Sequence, residues 1–223
     1  MRANKYGNFL TVLLVVLIIV ILVGLGFLVY NVVKTKNNED RTIEAIAEFD
    51  KTVEENNNEQ NQENEEVLEN QIAPPTNSIT PSGTSSKKTY YEGFVMIGYI
   101  TIPKTNVKLP ILDTVTPESL DTAVAAIYPS NPKLNEPGNV VIIGHNYRNG
   151  KFFSDNDRLS VGDKVLIKDT TGRELSYTIY QKFETTDTDT SFYTRNTNGV
   201  AEITLSTCTD DSKARIIILA KAD

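Results

Sequence analysis

Two side chains that occur once each frame the chemistry open to this 223-residue chain: the thiol of Cys208 and the imidazole of His145. A thiol attacks as its thiolate, and the usual way to ionise it near neutral pH is an imidazole or a fixed cation close by. Arg215 supplies such a cation, able both to favour the thiolate and to hold an oxyanion. Nucleophile, proton carrier and oxyanion donor together form a minimal set for acyl transfer. Singly, each residue has a plainer role. A lone cysteine on a strand is usually a small buried hydrophobe, a histidine closing an apolar strand is usually held structurally, and an arginine at a strand start is usually an edge charge. The catalytic interpretation accounts for all three positions at once.

The flanking sequence brings two of the three together. In 201–208, Ile203, Leu205 and Thr207 alternate with Thr204, Ser206 and Cys208, the period of a half-buried strand. Arg215 opens a nearly wholly apolar second strand, and the Asp-, Ser- and Thr-rich residues between read as a hairpin loop. Paired strands lie roughly 4.8 Å apart, so the guanidinium of one can sit over the sulfur of the other. His145 ends a separate apolar strand at 138–144.

Composition narrows the rest. The net charge is −7 and the basic residues are scattered, which argues against nucleic-acid binding. One cysteine excludes an internal disulfide. The run from Phe9 to Tyr30, about 22 residues, is long enough to cross a hydrocarbon core of about 30 Å and reads as an uncleaved anchor within residues 1–36, since no clear small-residue cleavage site follows. Arg2 and Lys5 are balanced by Lys34, Lys36 and Arg41, so flanking charge leaves its orientation open. Residues 37–88 read as a stalk. Its first part carries Ile43, Ile46, Phe49 and Val53 at helical spacing, a Glu/Asn/Gln-rich solvated stretch follows, and a Pro-, Ser- and Thr-rich spacer occupies 72–88.

The folded domain is expected at 89–223. Strands are expected at 94–102, 107–112, 138–144, 164–168, 174–183, 201–208 and 215–221, with Pro110 marking an edge or a bulge. Thr116-Pro-Glu-Ser119 reads as the start of a short helix. Residues 123–128 are open between helix and strand, and 129–137 reads as loop. Many short strands with few helices imply a mainly β fold, a closed or nearly closed antiparallel barrel.

Taken in order, these segments resemble the sortases, membrane-anchored cysteine transpeptidases of Gram-positive bacteria. Thr204-Leu-Ser-Thr-Cys208 resembles the family's TLxTC box, Arg215 stands where its essential arginine does, and Asn139-Val-Val-Ile-Ile-Gly-His145 resembles the strand ending in its histidine. Ile97-Gly-Tyr-Ile-Thr-Ile-Pro103 and Leu109-Pro-Ile111 are similar to its opening strands. The resemblance covers residues 94–219 and implies an eight-stranded β-barrel with a few short helices, preceded by a transmembrane helix with its amino terminus inside the cell and the catalytic domain outside. It also implies cleavage of an LPxTG-type carboxyl-terminal sorting signal on secreted proteins. The new carboxyl end would pass to an amine on a peptidoglycan precursor (lipid II) or on a pilin. Cys208, His145 and Arg215 would be catalytic, with Thr207 and Asn146 as substrate contacts. The Thr-Leu-Ser-Thr-Cys and Gly144-His-Asn146 patterns lean towards class B, but the stretch between 183 and 203 is too short for the extra helix that class carries there, so the resemblance implies a class D-like or a short class B-like enzyme.

Two other functions are compatible with the same barrel: a catalytically silent, membrane-tethered interaction domain, and a cysteine peptidase that only hydrolyses. The carboxylate pairs Asp155/Asp157 and Asp187/Asp189 have the chemistry of a calcium site, but solvated loop charge is the commoner explanation, and neither a cofactor nor a metal is expected.

Overall fold

The computed structural model describes residues 4–70, 86–128 and 133–223. Most of the spacer at 72–88 and the start of the loop at 129–137 lie outside the described residues. The chain divides into two compact units, Met1–Glu44 and Ala45–Asp223. A long helix, α1 (Asn4–Asn70), supplies the first and opens the second. In the first unit the apolar side chains from Phe9 to Val33 stand exposed all round the helix, the pattern of a segment that meets an apolar medium on every side. Its most apolar window has a mean hydropathy of 3.5, and among the described residues this is the one helix long and apolar enough to cross a bilayer.

Among the described residues nine strands follow in the second unit: β1 (Thr89–Tyr91), β2 (Phe94–Ile102), β3 (Val107–Leu112), β4 (Val124–Ile127), β5 (Gly138–Ile143), β6 (Lys164–Asp169), β7 (Glu174–Thr186), β8 (Ala201–Cys208) and β9 (Ala214–Ala222). They are ordered β1-β2-β3-β4-β5-β8-β9-β7-β6, and β6 pairs back onto β2. β2 to β9 therefore close into an eight-stranded barrel, with β1 a three-residue flap on the start of β2. Eight strands enclose a space that side chains alone can fill. Ile100, Ile111, Ile142, Ile167, Ile179, Leu205 and Ile218 fill it and are fully buried. Closure depends on Gly98, where β6 crosses: a Cβ there would lie 2.3 Å from the carbonyl oxygen of Lys168.

The barrel is not wholly antiparallel, as strand spacing alone had implied. β3–β4 and β5–β8 are parallel pairs, and parallel neighbours need a crossover. The first crossover carries the short helix α2 (Pro117–Thr122). Thr116 caps it, Pro117 takes its first position, and Ser119 Oγ in return accepts from the Thr116 amide. Residues 124–127, open in the sequence, become strand β4. Pro110 lies on the part of β3 that only β2 pairs, where its missing N–H breaks no ladder on the other side.

Residues 37–88 read from composition as a stalk, yet the compact unit begins at Ala45, well before Thr89. Ile46, Phe49 and Val53 are buried against Met96 and Tyr99 of β2. The Phe49 and Tyr99 rings meet edge-on at 6.0 Å between centroids. Lys168 Nζ donates to Asp50 Oδ1 at 2.8 Å, and Asn57 Nδ2 donates to the Thr171 carbonyl at 3.0 Å. Burying each large apolar side chain contributes about 1.5–3 kcal/mol. The helical spacing was legible; its partner, an apolar patch on the outside of β2, was not.

Candidate active site

β8 and β9 set the centre of the site. Their antiparallel register pairs Cys208 directly with Arg215. Arg215 Nη1 donates to Cys208 Sγ at 3.2 Å, and both side chains are half-buried. Arg215 thus holds a permanent cation directly against a half-buried sulfur. The guanidinium has donors to spare for an oxygen that develops charge beside the sulfur.

β5 brings His145 alongside. It runs parallel to β8 with Ile143 opposite Ser206, and the Gly144 amide donates to the Ser206 carbonyl at 3.2 Å. His145 follows Gly144 at the end of this strand, and the next residue, Asn146, reaches the Cys208 carbonyl. Gly144 is required by contact rather than by backbone freedom. A Cβ there would lie 2.7 Å from Phe153 Cδ2 and 2.8 Å from Val124 Cγ1, so a side chain would push the His145 loop off the barrel rim. That loop folds back on itself. The Phe153 amide donates to the His145 carbonyl at 3.1 Å, Asn146 pairs with Phe152 across an isolated bridge, and the Tyr147 amide donates to Ser154 Oγ at 3.0 Å.

The histidine loop and the β8–β9 hairpin are joined by side chains. Asn146 Nδ2 donates both to the Cys208 carbonyl at 3.0 Å and to Asp210 Oδ1 at 2.9 Å. Arg148 Nη2 donates to Ser212 Oγ at 2.6 Å. The hairpin itself is braced by Thr209, whose hydroxyl donates to Asp211 Oδ1; this bond, with the Lys213 amide, holds the Asp211 carboxyl below the usual carboxylate range.

The His145 ring does not bond the sulfur among the described contacts. Its charged-group neighbour is Asp121 on α2, with Nε2 3.5 Å from Oδ1. The same Oδ1 accepts the Tyr147 hydroxyl at 2.7 Å, and the His145 and Tyr147 rings lie 5.1 Å apart. Burial first, and then the bond to Asp121, push the Tyr147 phenol up to about 12, so it stays a neutral donor near neutral pH.

The two further residues singled out from sequence have definite environments. The Asn146 amide group is committed to the Cys208 carbonyl and to Asp210. Thr207 lies on the inner face of β8, 3% exposed, and its hydroxyl has no hydrogen-bond partner among the described residues. β8 itself is buried on both faces, not one: Thr204 and Ser206 are buried as well as Ile203 and Leu205, and Arg195 of the 187–200 loop reaches Thr204. Arg195 secures that loop, donating to Asn139 Oδ1 at 2.6 Å and Thr204 Oγ1 at 3.0 Å and pairing with Glu202 and Tyr180. Of the carboxylates considered for calcium, Asp189 accepts from the Thr185 hydroxyl and the Ser191 amide, and Asp155 faces Arg158 at 3.6 Å. Sequence reasoning missed Asp121, Tyr147 and Arg195. The only signal for Asp121 was its place on a capped helix of unknown orientation.

This barrel and site have known counterparts. A family model described as the sortase domain matches residues 100–223. Sortase A of Bacillus anthracis is 31% identical over 126 residues, covering 55% of this chain and 58% of that protein, so the chain spans somewhat more than half of that relative's length. Among solved structures, a Clostridium perfringens Sortase D5 transpeptidase superposes with a TM-score of 0.58 at 26% identity, over 82% of this chain and 99% of the other. Sortase A of Listeria monocytogenes shares the fold at a TM-score of 0.52 and 21% identity, covering 57% of this chain and 87% of the other. The chain belongs to the sortase family.

Proposed function

We propose that this sortase is a membrane-anchored cysteine transpeptidase that cuts an LPxTG-like carboxyl-terminal sorting signal and transfers the protein to an amine. The observation that carries the proposal is the 3.2 Å contact between Arg215 Nη1 and Cys208 Sγ at a half-exposed barrel rim, with His145 on the adjoining strand end. Cys208 thiolate attacks the scissile carbonyl carbon, and Arg215 holds the resulting oxyanion, a contribution of about 3 kcal/mol for one well-placed donor. Collapse breaks the C–N bond as His145 gives a proton to the departing amine, leaving a thioacyl-enzyme. The acceptor amine then attacks the thioester, its proton passes to His145, and the thiolate leaves. No step calls on a cofactor or metal.

Asn146 acts here by fixing the Cys208 carbonyl rather than through its own side-chain contact with substrate. With its hydroxyl buried, Thr207 would meet a bound peptide through its backbone. The apolar part of α1 spans the cell membrane with its amino terminus inside, which puts the barrel outside among secreted proteins bearing sorting signals. The acceptor is an amine of a peptidoglycan precursor or of a pilin. Similarity to the Clostridium perfringens Sortase D5 supports the class D-like alternative over the class B-like one.

The test uses the full chain in detergent with sorting-signal peptides, with and without an amine acceptor. A transpeptidase yields the amide product and depends on Cys208, His145 and Arg215. Acid product alone would make the protein a peptidase, and no thiol-dependent product would make it a silent interaction domain.

A further inference from the structure

Beyond the sulfur, the guanidinium and the imidazole, one charged group touches the site without a part in the steps above. The carboxylate of Asp121 lies 3.5 Å from His145 Nε2 and accepts the Tyr147 hydroxyl at 2.7 Å through the same oxygen. The three groups come from two separate elements. Asp121 stands on α2, whose start is locked by the reciprocal Thr116–Ser119 hydrogen bonds, and His145 and Tyr147 stand on the loop after β5. Tyr147 is itself seated by the hydrogen bond its backbone amide donates to Ser154 Oγ and by ring contacts with His145 and Phe152, at 5.1 and 5.5 Å between centroids.

We propose that Asp121, steadied by Tyr147, is a positioning residue for His145: it engages the ring through Nε2 and leaves Nδ1 to exchange the proton with sulfur and amine. Among the described residues no hydrogen bond reaches Nδ1, and the ring's printed polar contact is made by Nε2. Other charged or titratable groups on the elements around the ring include Cys208 on β8, Arg215 on β9, Tyr147, and Asp210 of the β8–β9 hairpin, which accepts from Asn146. Arg215 is engaged with the sulfur and Tyr147 donates to Asp121, which leaves Asp121 as the anion paired with the ring. Asp121 is itself well exposed, and an exposed ion pair contributes little to stability. Its effect therefore falls on orientation, where a misplacement of about 1 Å can cost on the order of a hundredfold in rate. The inference rests on the transpeptidase reading for its kinetic consequence, but ring placement can be read without turnover.

The test compares Asp121→Asn, Asp121→Glu, Tyr147→Phe and, as a control on the same helix, Glu118→Gln, all as full chains in detergent. His145 is the only histidine, so histidine-labelled protein gives a single set of ring resonances. Expected for Asp121→Asn is a fall in kcat of about tenfold or more with KM within twofold, an unchanged melting temperature, and displaced His145 ring resonances in the peptide-free protein. Asp121→Glu should recover part of the lost kcat, Tyr147→Phe should lose a few-fold, and Glu118→Gln should match the parent. His145 resonances and kcat that stay at parental values in Asp121→Asn would overturn the inference, even if Cys208→Ala abolishes turnover. Turnover that survives Cys208→Ala would instead refute the transpeptidase reading.

Discussion

Arg215 Nη1 lies 3.2 Å from Cys208 Sγ because β8 and β9 pair the two residues directly across an antiparallel register. A charge on a strand is thereby held at the sulfur by the barrel itself. Arg215→Lys keeps the charge but loses the planar fork. The expected result is a fall in kcat for peptide cleavage of about 10²–10³ for Arg215→Ala, with Arg215→Lys recovering only a minor part. Steady-state kinetics with a fluorogenic sorting-signal peptide measures both.

Gly144 is a steric requirement. Adding a methyl group there meets Phe153 and Val124 inside normal contact distance, so Gly144→Ala should destabilise the barrel by about 1–3 kcal/mol. Because the same contact seats the histidine loop, activity should fall at temperatures where the variant is still folded. Denaturant titration paired with a cleavage assay separates the two losses.

Asn146 ties the histidine loop to the nucleophile's own carbonyl. Asn146→Ala should cost about 1 kcal/mol of stability, the typical net worth of such a bond. A larger loss, of about tenfold, is expected in kcat as the loop and the hairpin lose their shared anchor. Asn146→Asp should fare no better, since it sets a second carboxylate against Asp210.

Much of this was legible from sequence, and the reasons differ by element. The β8–β9 hairpin was clear because its alternation and its turn residues are local signals, and Cys208 needed only a strand partner to find Arg215. The end of β5 was clear because an unbroken apolar run stops at His145. Asp121 was not, because its meeting with His145 depends on a parallel β3–β4 crossover that no local pattern encodes. The docking of Ile46, Phe49 and Val53 was half legible: their period gave a helix, while their burial depends on Met96 and Tyr99 facing outward from β2.

That docked helix carries a stability prediction. Phe49 is 2% exposed and packs on Tyr99, so Phe49→Ala should cost about 3 kcal/mol or more. Urea unfolding followed by tyrosine fluorescence reports it. Loss of less than about 0.5 kcal/mol, the scale of a neutral surface change, would show the helix to be a free stalk.

Acid should loosen the loop that Arg195 ties to β8. The Thr185 hydroxyl, and then Ser191, hold the Asp189 carboxyl below its ordinary value. A depressed carboxylate stabilises the fold above its unfolded value of about 3.9, and that contribution is lost as pH falls through the lower folded value. Asp189→Asn should flatten the part of the stability–pH curve below about pH 4, leaving neutral-pH unfolding to reflect only the lost hydrogen bonds.

The central claim is that Cys208 carries the acyl group between two amines. Mass spectrometry of the full chain, quenched during turnover of a sorting-signal peptide, addresses it most directly. The account predicts a thioester adduct on Cys208 equal to the peptide minus its leaving fragment, discharged to an amide when an amine is added and absent in Cys208→Ala. An undiminished peptide-to-amide conversion by Cys208→Ala, with no adduct on the parent protein, would contradict it.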